Sequence, residues 1–247
     1  MADILRVENL SKWYGKKHVV KDISFEMSSQ DITGLLGPNG AGKTTSFYMI
    51  VGFIKSSGGR ILLNDNDITN LAMHQRSKLG LAYLPQEASI FRKLTVENNI
   101  KLVLETRKNL SKHEKQEKLE KLLYDFGIDR VRKQYGYTLS GGERRRTEIA
   151  RSLATDPKFL LLDEPFAGID PKAVYEIKQL IRNLSSQGIG ILITDHNVRD
   201  TLEITTTAHI ISEGNILVSG SRDEVIANKM AREIYFGSDF DKEYKDV

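Results

Sequence analysis

Hydrophobic and polar positions change rhythm several times along these 247 residues, and each change predicts a different kind of element. Near the start, Ile4 to Val7, Val19 to Met27 and Ile32 to Leu36 are short apolar or alternating runs. The second holds the alternating Val20, Ile23 and Phe25, and all three runs read as strands. The third ends in the turn-rich Gly37-Pro38-Asn39-Gly40, after which Thr44 to Val51 can continue as a helix. Arg60 to Leu63 and Leu81 to Leu84 are further strand candidates, the latter closed by Pro85-Gln86.

Residues 95 to 135 are charged and leucine-spaced. Leu119, Leu122, Leu123 and Phe126 fall at i, i+3, i+4 and i+7, the spacing of one helical face. A strand is then expected over 159 to 163, a helix over 172 to 186 and a strand over 189 to 194. Val174, Ile177, Ile181 and Leu184 make the helix's apolar stripe, and Gly188 can end it. The unbroken apolar strands fit a parallel sheet covered on both faces. Two strands around Glu213-Gly214 and a closing helix over 221 to 236 complete the expectation, with residues 238 to 247 as a flexible polar tail.

Composition narrows the function. The balance of 36 basic against 33 acidic residues leaves a net charge of only +3, so no nucleic-acid partner is expected. Zero cysteines exclude disulfides and thiolate metal sites. No stretch approaches the roughly 18 to 20 apolar residues of a membrane span. The start, MADILRVENL, lacks the features of a secretory leader, so secretion is not expected.

Four strings carry candidate chemistry. Gly37-Pro38-Asn39-Gly40-Ala41-Gly42-Lys43-Thr44, followed by Thr45, fits G-x-x-x-x-G-K-[ST] between a strand and a helix. Its glycines let backbone N–H groups close around phosphate, Lys43 neutralises the β- and γ-phosphates of ATP, and Thr44 can ligate Mg²⁺. Asp163 and Glu164 end an apolar strand, where parallel sheets hold ligands. Asp163 suits a Mg²⁺ contact, and Glu164 suits orienting and deprotonating a water. His196, after the next strand, can reach the same sheet edge and contact a γ-phosphate. In Leu139-Ser140-Gly141-Gly142-Glu143, Ser140 and Glu143 form a capping-box pattern. Two glycines in a first helical turn are costly and make sense if an anion must approach closely; the two readings are compatible.

In this order, over Tyr14 to about residue 237, these strings resemble the ABC ATPases, the nucleotide-binding subunits of ATP-binding cassette transporters. The resemblance implies a single α/β P-loop NTPase domain of ABC type over 1–247. It would have a RecA-like core, an N-terminal antiparallel β subdomain and an inserted helical subdomain at approximately 88–157. It also implies that Ser140, Gly141 and Gly142 close over ATP held by a second, head-to-tail copy. By the same resemblance Tyr14 stacks on adenine, Gln86 contacts Mg²⁺ and the attacking water, Asp170 communicates across the dimer, and His196 is the switch histidine. Trp13 is a rival for the stacking role, and Glu143 departs from the more frequent glutamine.

Longer strings, among them YLPQEASIFRKLTV, LSGGERRRTEIARSL and LITDHNVRDTL, resemble more narrowly the ATPase subunits of lipopolysaccharide exporters. That implies two transmembrane subunits docking near Phe91 and Arg92, and a place on the cytoplasmic face of the inner membrane. Ile90 is equally a core or an interface residue. Branched-chain amino acid importer ATPases and a soluble cluster-assembly ATPase are the alternatives.

Overall fold

The computed structural model describes residues 2–236. In chain order the first half forms β1 (Ile4–Tyr14), β2 (Lys17–Ser28), β3 (Ile32–Leu36), α1 (Lys43–Val51), β4 (Gly58–Leu63), β5 (Asn66–Asp67), α2 (Met73–Lys78), β6 (Leu81–Leu84), α3 (Val96–Thr106) and α4 (Lys112–Asp125). The second half forms α5 (Gly141–Leu153), β7 (Phe159–Asp163), α6 (Pro171–Ser186), β8 (Gly190–Thr194), α7 (Val198–Ile204), β9 (Thr207–Ser212), β10 (Asn215–Ser221) and α8 (Arg222–Ala227).

The strands are ordered β5-β4-β1-β2-β10-β9-β3-β8-β7-β6. At one end, β1 pairs antiparallel with both β2 and β4. At the other, β9, β3, β8, β7 and β6 run parallel. The two regions meet where β10 lies beside β2, with Asn215 opposite Asp22.

Alternation along the central strands decides which core each residue joins, because successive side chains point to opposite faces. Phe159 and Leu161 of β7 and Leu192 of β8 pack with α1 and the antiparallel strands, against Leu35, Phe47 and Ile50. Leu160, Leu162, Ile191 and Ile193 face the other way. There they meet the α6 stripe of Ile177 and Ile181 and the helical residues Leu119, Leu123 and Ile149. The expected helical faces on α4 and α6 are therefore both buried. They converge on one core, so the helices between β6 and β7 are packed onto the sheet and not beside it.

A buried carboxylate also fixes this helical region. Glu97 of α3 takes Lys101 at 2.7 Å and both Arg132 and Lys133 at 2.9 Å. These hydrogen bonds, Lys101 first, hold its pKa down to about 2. Arg132 reaches on to Glu120 of α4 at 2.8 Å, tying three segments together.

Four elements depart from the sequence pattern. β1 runs to Tyr14 although alternation stops near Val7; bulges and a left-handed Asn9 (φ +50°) let it stay paired on both sides. The closing helix is broken at extended Asn228, whose side-chain oxygen accepts the Met230 and Ala231 N–H groups and starts a new turn. α2 and α7 have six and seven residues, too few to register as a helical period. The expected tail, 238 to 247, lies outside the described residues.

His209 marks the seam between the parallel and antiparallel regions. It is buried on β9, its Nδ1 is 2.8 Å from the Ser219 hydroxyl of β10, and its ring lies 5.2 Å from Phe25 of β2. Burial pulls its pKa from 6.5 down to about 4, so the folded chain holds it neutral. As pH falls below 6.5 the unfolded chain takes up the proton first. Stability is thus full above 6.5 and is lost toward 4, by up to about 3 kcal/mol from this group. Urea denaturation across that window should show this decline, and His209→Gln should remove its share of the slope.

Candidate functional site

Parallel strands end at the same edge, and β3, β8, β7 and β6 are consecutive neighbours. The register sets Gly34 opposite Ile193, Asp163 opposite Thr194, and Leu162 opposite Leu84. The loops after these four strands consequently open side by side, where α/β sheets bind ligands. They carry the glycine-rich loop, His196, Asp163 with Glu164, and Gln86.

The glycine-rich loop needs its glycines. A Cβ on Gly37 (φ +152°) would collide with the Ile211 carbonyl oxygen. Gly42 has φ +106° and is the N-cap of α1, leaving that helix without a capping side chain and with no acidic residue in its first turn. Its N–H groups and the positive end of its dipole therefore face the loop without a local acceptor. Lys43 is buried and donates to the Gly37 and Pro38 carbonyls at 2.7 and 3.0 Å. Burial lowers its pKa, and the nearby charges of Glu164 and Asp163 oppose that shift. The Ala41 N–H closes the loop onto the Pro38 carbonyl at 3.2 Å.

Over this loop is a cavity of about 180 Å³ lined by Asn39, Gly40, Gly42, Lys43, Thr44 and Thr45, with Val19, Glu164 and His196. Its lining of backbone amides, a lysine and hydroxyls suits phosphate groups. A larger groove of about 690 Å³ lies between α4 and the C-terminal end of α6, but it holds none of the candidate residues.

Glu164 joins the loops. Its φ of +46° is unusual for a side chain of this size, and its N–H donates to the Thr194 carbonyl across β8 at 2.7 Å. One carboxylate oxygen accepts the Gln86 amide at 2.5 Å, and the other meets His196 Nε2 at 2.5 Å. Asp163 beside it is 2% exposed, with the Tyr83 hydroxyl donating to it at 3.2 Å. Burial raises the Asp163 pKa, and burial together with Asp163 pushes the Tyr83 phenol well up. Asp195 accepts the Phe166 and Asn197 N–H groups at 3.0 and 2.9 Å, linking the loops after β7 and β8.

The oxygens of Thr44, Asp163 and Gln86 are hard donors of the kind that suit Mg²⁺. Among the described residues no group of three His, Cys, Asp or Glu could cage a metal. A partial oxygen set is what Mg²⁺ uses when phosphates and waters complete its shell.

The second glycine string is an intact capping box. Ser140 is exposed and N-caps α5; its hydroxyl and N–H donate to Glu143 at 2.8 and 3.1 Å, and the Glu143 N–H returns to it at 3.3 Å. Hydrogen bonds from Ser140 lower the Glu143 pKa. The two glycines do different work. A Cβ on Gly142 would sit 2.7 Å from the Ala173 Cβ of α6, whereas one on Gly141 would meet only the Gly168 carbonyl at 3.5 Å. Asp170, exposed, N-caps α6 by accepting the Ala173 N–H at 3.0 Å. None of residues 139–143 lines the phosphate cavity of its own chain.

At the β1–β2 turn Tyr14 is half exposed, with the Lys12 ammonium 5.2 Å from its ring centre. Trp13 is stacked on His18 at 3.9 Å, which covers one face of the indole. On the helical side Ile90 is buried, which resolves its two readings in favour of the core. Phe91 is 47% exposed beneath the Arg151 guanidinium, and Arg92 is exposed. Tyr135 and Tyr137, outside the sequence expectation, stack at 5.7 Å and are about half exposed. The Tyr137 backbone N–H donates to the Arg92 carbonyl at 3.2 Å, placing the pair beside Phe91. The visible signal was a Tyr-Gly-Tyr string next to a charged helical stretch.

Known proteins carry the same pattern. A model of the ABC transporter family matches residues 20–167. The lipopolysaccharide export system ATP-binding protein LptB of Haemophilus influenzae is 50% identical over 237 residues, spanning 96% of this chain and 98% of that protein. LptB of Escherichia coli K12 is 48% identical over 236 residues, covering 96% and 98%. A crystal structure of the ADP conformation of an ATP-binding cassette of an ABC transporter aligns with TM-score 0.84 at 29% identity, covering 96% of this chain and 99% of that one.

Close α5–α6 packing gives a direct test of the glycine pair. Gly142→Ala should cost about 1–3 kcal/mol through overpacking against Ala173, while Gly141→Ala should leave stability within about 0.5 kcal/mol. Chemical denaturation of the two single variants measures the asymmetry.

Proposed function

The chain belongs to the ABC transporter family, and from that premise we propose that it is the ATP-hydrolysing subunit of a lipopolysaccharide exporter, acting as a pair of chains beneath two transmembrane partners. The observation that carries this reading is identity of 48–50% along almost the whole length of LptB proteins. Like others of its family the chain is an ATPase of P-loop, ABC-type fold. We read approximately 88–157 as a helical subdomain within one domain.

In the proposed mechanism the phosphates of ATP lie against the uncapped N-terminus of α1, with Gly37 to Thr45 around them and Lys43 neutralising their charge. Tyr14 stacks on adenine, supported by its exposure beside the β1–β2 turn and by the covered face of Trp13. Thr44, Asp163 and Gln86 hold Mg²⁺, which when bound supplies positive charge to the phosphate oxygens. Glu164 takes a proton from the water that attacks the γ-phosphorus as the bond to ADP breaks. Gln86 fixes the orientation of that carboxylate, and His196 contacts the γ-phosphate. Positioning and charge stabilisation supply most of the rate enhancement.

Ser140 with the Gly141 and Gly142 N–H groups completes the ATP site of the second copy, and Asp170 transmits its occupancy. Support comes from the exposure of Ser140 and from its absence among the residues lining its own chain's phosphate cavity. Because Ser140 donates to Glu143 here, its hydroxyl must turn when a phosphate arrives.

Among the described residues no helix is long and apolar enough to cross a membrane. We infer attachment to the cytoplasmic face of the inner membrane through partners, at the surface of Phe91 and Arg92 with Tyr135 and Tyr137. An exposed aromatic and arginine group is suited to anchor a partner helix.

Glu164→Gln should lower steady-state ATP hydrolysis by about 10²- to 10⁴-fold while ATP binding persists and the closed dimer accumulates, read by size exclusion with ATP. Normal turnover in that variant would remove Glu164 as the base. For the cargo, membrane proteins copurifying with the chain, reconstituted with lipopolysaccharide, should release it from the bilayer on ATP addition. Recovery of an amino acid importer or of a soluble complex would instead overturn the exporter reading.

A further inference from the structure

Between β6 and α3 the chain passes Pro85, Gln86, Ser89, Ile90 and Phe91. Its backbone groups here are held chiefly by side chains. Three of those side chains lie on α5, at successive turns: Arg145, Glu148 and Arg151. Glu148 is 1% exposed, and a single carboxylate oxygen accepts the N–H groups of Ser89 at 2.7 Å and Ile90 at 3.0 Å. Arg145 donates to the Pro85 carbonyl at 2.8 Å and to the Asp163 carbonyl at 3.1 Å, the backbone groups just before Gln86 and Glu164. Arg151 donates to the Ser89 carbonyl at 2.9 Å and its hydroxyl at 2.7 Å, and its guanidinium covers the Phe91 ring at 5.0 Å. Asn99 of α3 accepts the Phe91 N–H at 2.9 Å and donates back to the Phe91 carbonyl at 3.2 Å.

A buried carboxylate is costly unless its charge is met. The Arg145 contact to Glu148 is long, 3.5 Å, and the closer Arg145 bonds go to carbonyls. The two loop amides are thus the closest donors to the Glu148 charge. Successive backbone N–H groups converging on one anion form a nest, here filled by the protein's own side chain. The loop consequently has two functional ends, Gln86 against Glu164 and Phe91 at the surface, with Glu148 gripping the residues between them.

We propose that Glu148 is a positioning residue for ATP hydrolysis: its grip on the Ser89 and Ile90 amides sets where Gln86 lies against Glu164 and makes the exposed Phe91 surface move with α5. The proposal rests on the assignment of Gln86 and Glu164 to hydrolysis given above. α5 begins at the Ser140 string, so one rigid helix then joins three places: the face offered to a second copy, the nucleotide site and the partner surface. A push at any of them is felt at Gln86.

The test is steady-state hydrolysis of MgATP by the full chain. Glu148→Ala should lower kcat about tenfold, the scale of losing an outer-shell support, with KM for ATP within about twofold. Glu148→Gln, which keeps the amide-accepting oxygen, should retain at least about half the wild-type kcat. The Gln86→Ala/Glu148→Ala double variant should be no slower than Gln86→Ala alone, because one residue acts through the other. Hydrogen exchange over residues 86–91 should quicken in Glu148→Ala while α5 stays protected.

If Glu148→Ala does not fold, Glu148→Asp carries the same test, since it keeps the charge beside Arg145 and withdraws the acceptor by one methylene. Unchanged kcat in a folded variant with only a lowered Tm, or multiplicative loss in the double variant, overturns the proposal. The two ways of failing are distinguishable. Gln86→Ala at wild-type rate removes the underlying assignment, whereas a defective Gln86→Ala beside an unaffected Glu148→Ala removes the grip alone.

Discussion

The hydrogen bond from the Glu164 N–H to the Thr194 carbonyl, made with Glu164 in the left-handed region, is the constraint on which the site depends. Had the chain left β7 in an extended conformation, successive residues would have kept alternating between the sheet's two faces. The turn breaks that alternation and aims the carboxylate along the sheet edge. Gln86 from beyond β6 and His196 from beyond β8 then reach it from opposite sides. Strain of this kind persists only where the surroundings over-determine it. Here β7 supplies that constraint, being paired along its full length with β8 on one side and from Phe159 to Leu162 with β6 on the other.

Charge burial is the second theme. Lys43, Asp163, Asp195 and Arg145 are all nearly inaccessible, and backbone groups do much of the compensating. Rigid dipoles hold such charges without the rearrangement that water would need, which is how a site is prepared for a highly charged substrate. The cost appears as shifted pKa values, with Lys43 pulled down and Asp163 pushed up by burial. Arg76 is the purely structural counterpart. It is 2% exposed and donates to the Met49 and Ile50 carbonyls at 2.7 and 2.6 Å, closing the C-terminal end of α1, whose other end receives the phosphates in the proposed mechanism.

Packing of the helical region onto the sheet joins the two into one body of core. Leu119, Leu123 and Ile149 belong to the same core as Leu160, Leu162 and Ile193. The start of α5 is pressed onto the start of α6 at Gly142 and Ala173. Close-packed interiors transmit displacement and do not absorb it, and Arg145 ties α5 directly to the Pro85 and Asp163 carbonyls beside Gln86 and Glu164.

Much of this was legible in the chain because it is local. The phosphate loop, the Ser140–Glu143 capping box, the α6 stripe from Val174 to Leu184 and the apolar β7 each depend on residues a few positions apart, where periodicity and side-chain hydrogen bonding act directly. ABC-family membership followed from the order of those strings. Tertiary structure alone decided how far β1 runs, where Asn228 breaks the last helix, that Ile90 turns inward, and that Tyr135 and Tyr137 join Phe91. It alone brought Gln86, Glu164 and His196 within hydrogen-bond reach and set Glu148 against Ser89 and Ile90. The physical reason is that these contacts are fixed by strand order and core packing between residues tens of positions apart, and no local period encodes which strands become neighbours.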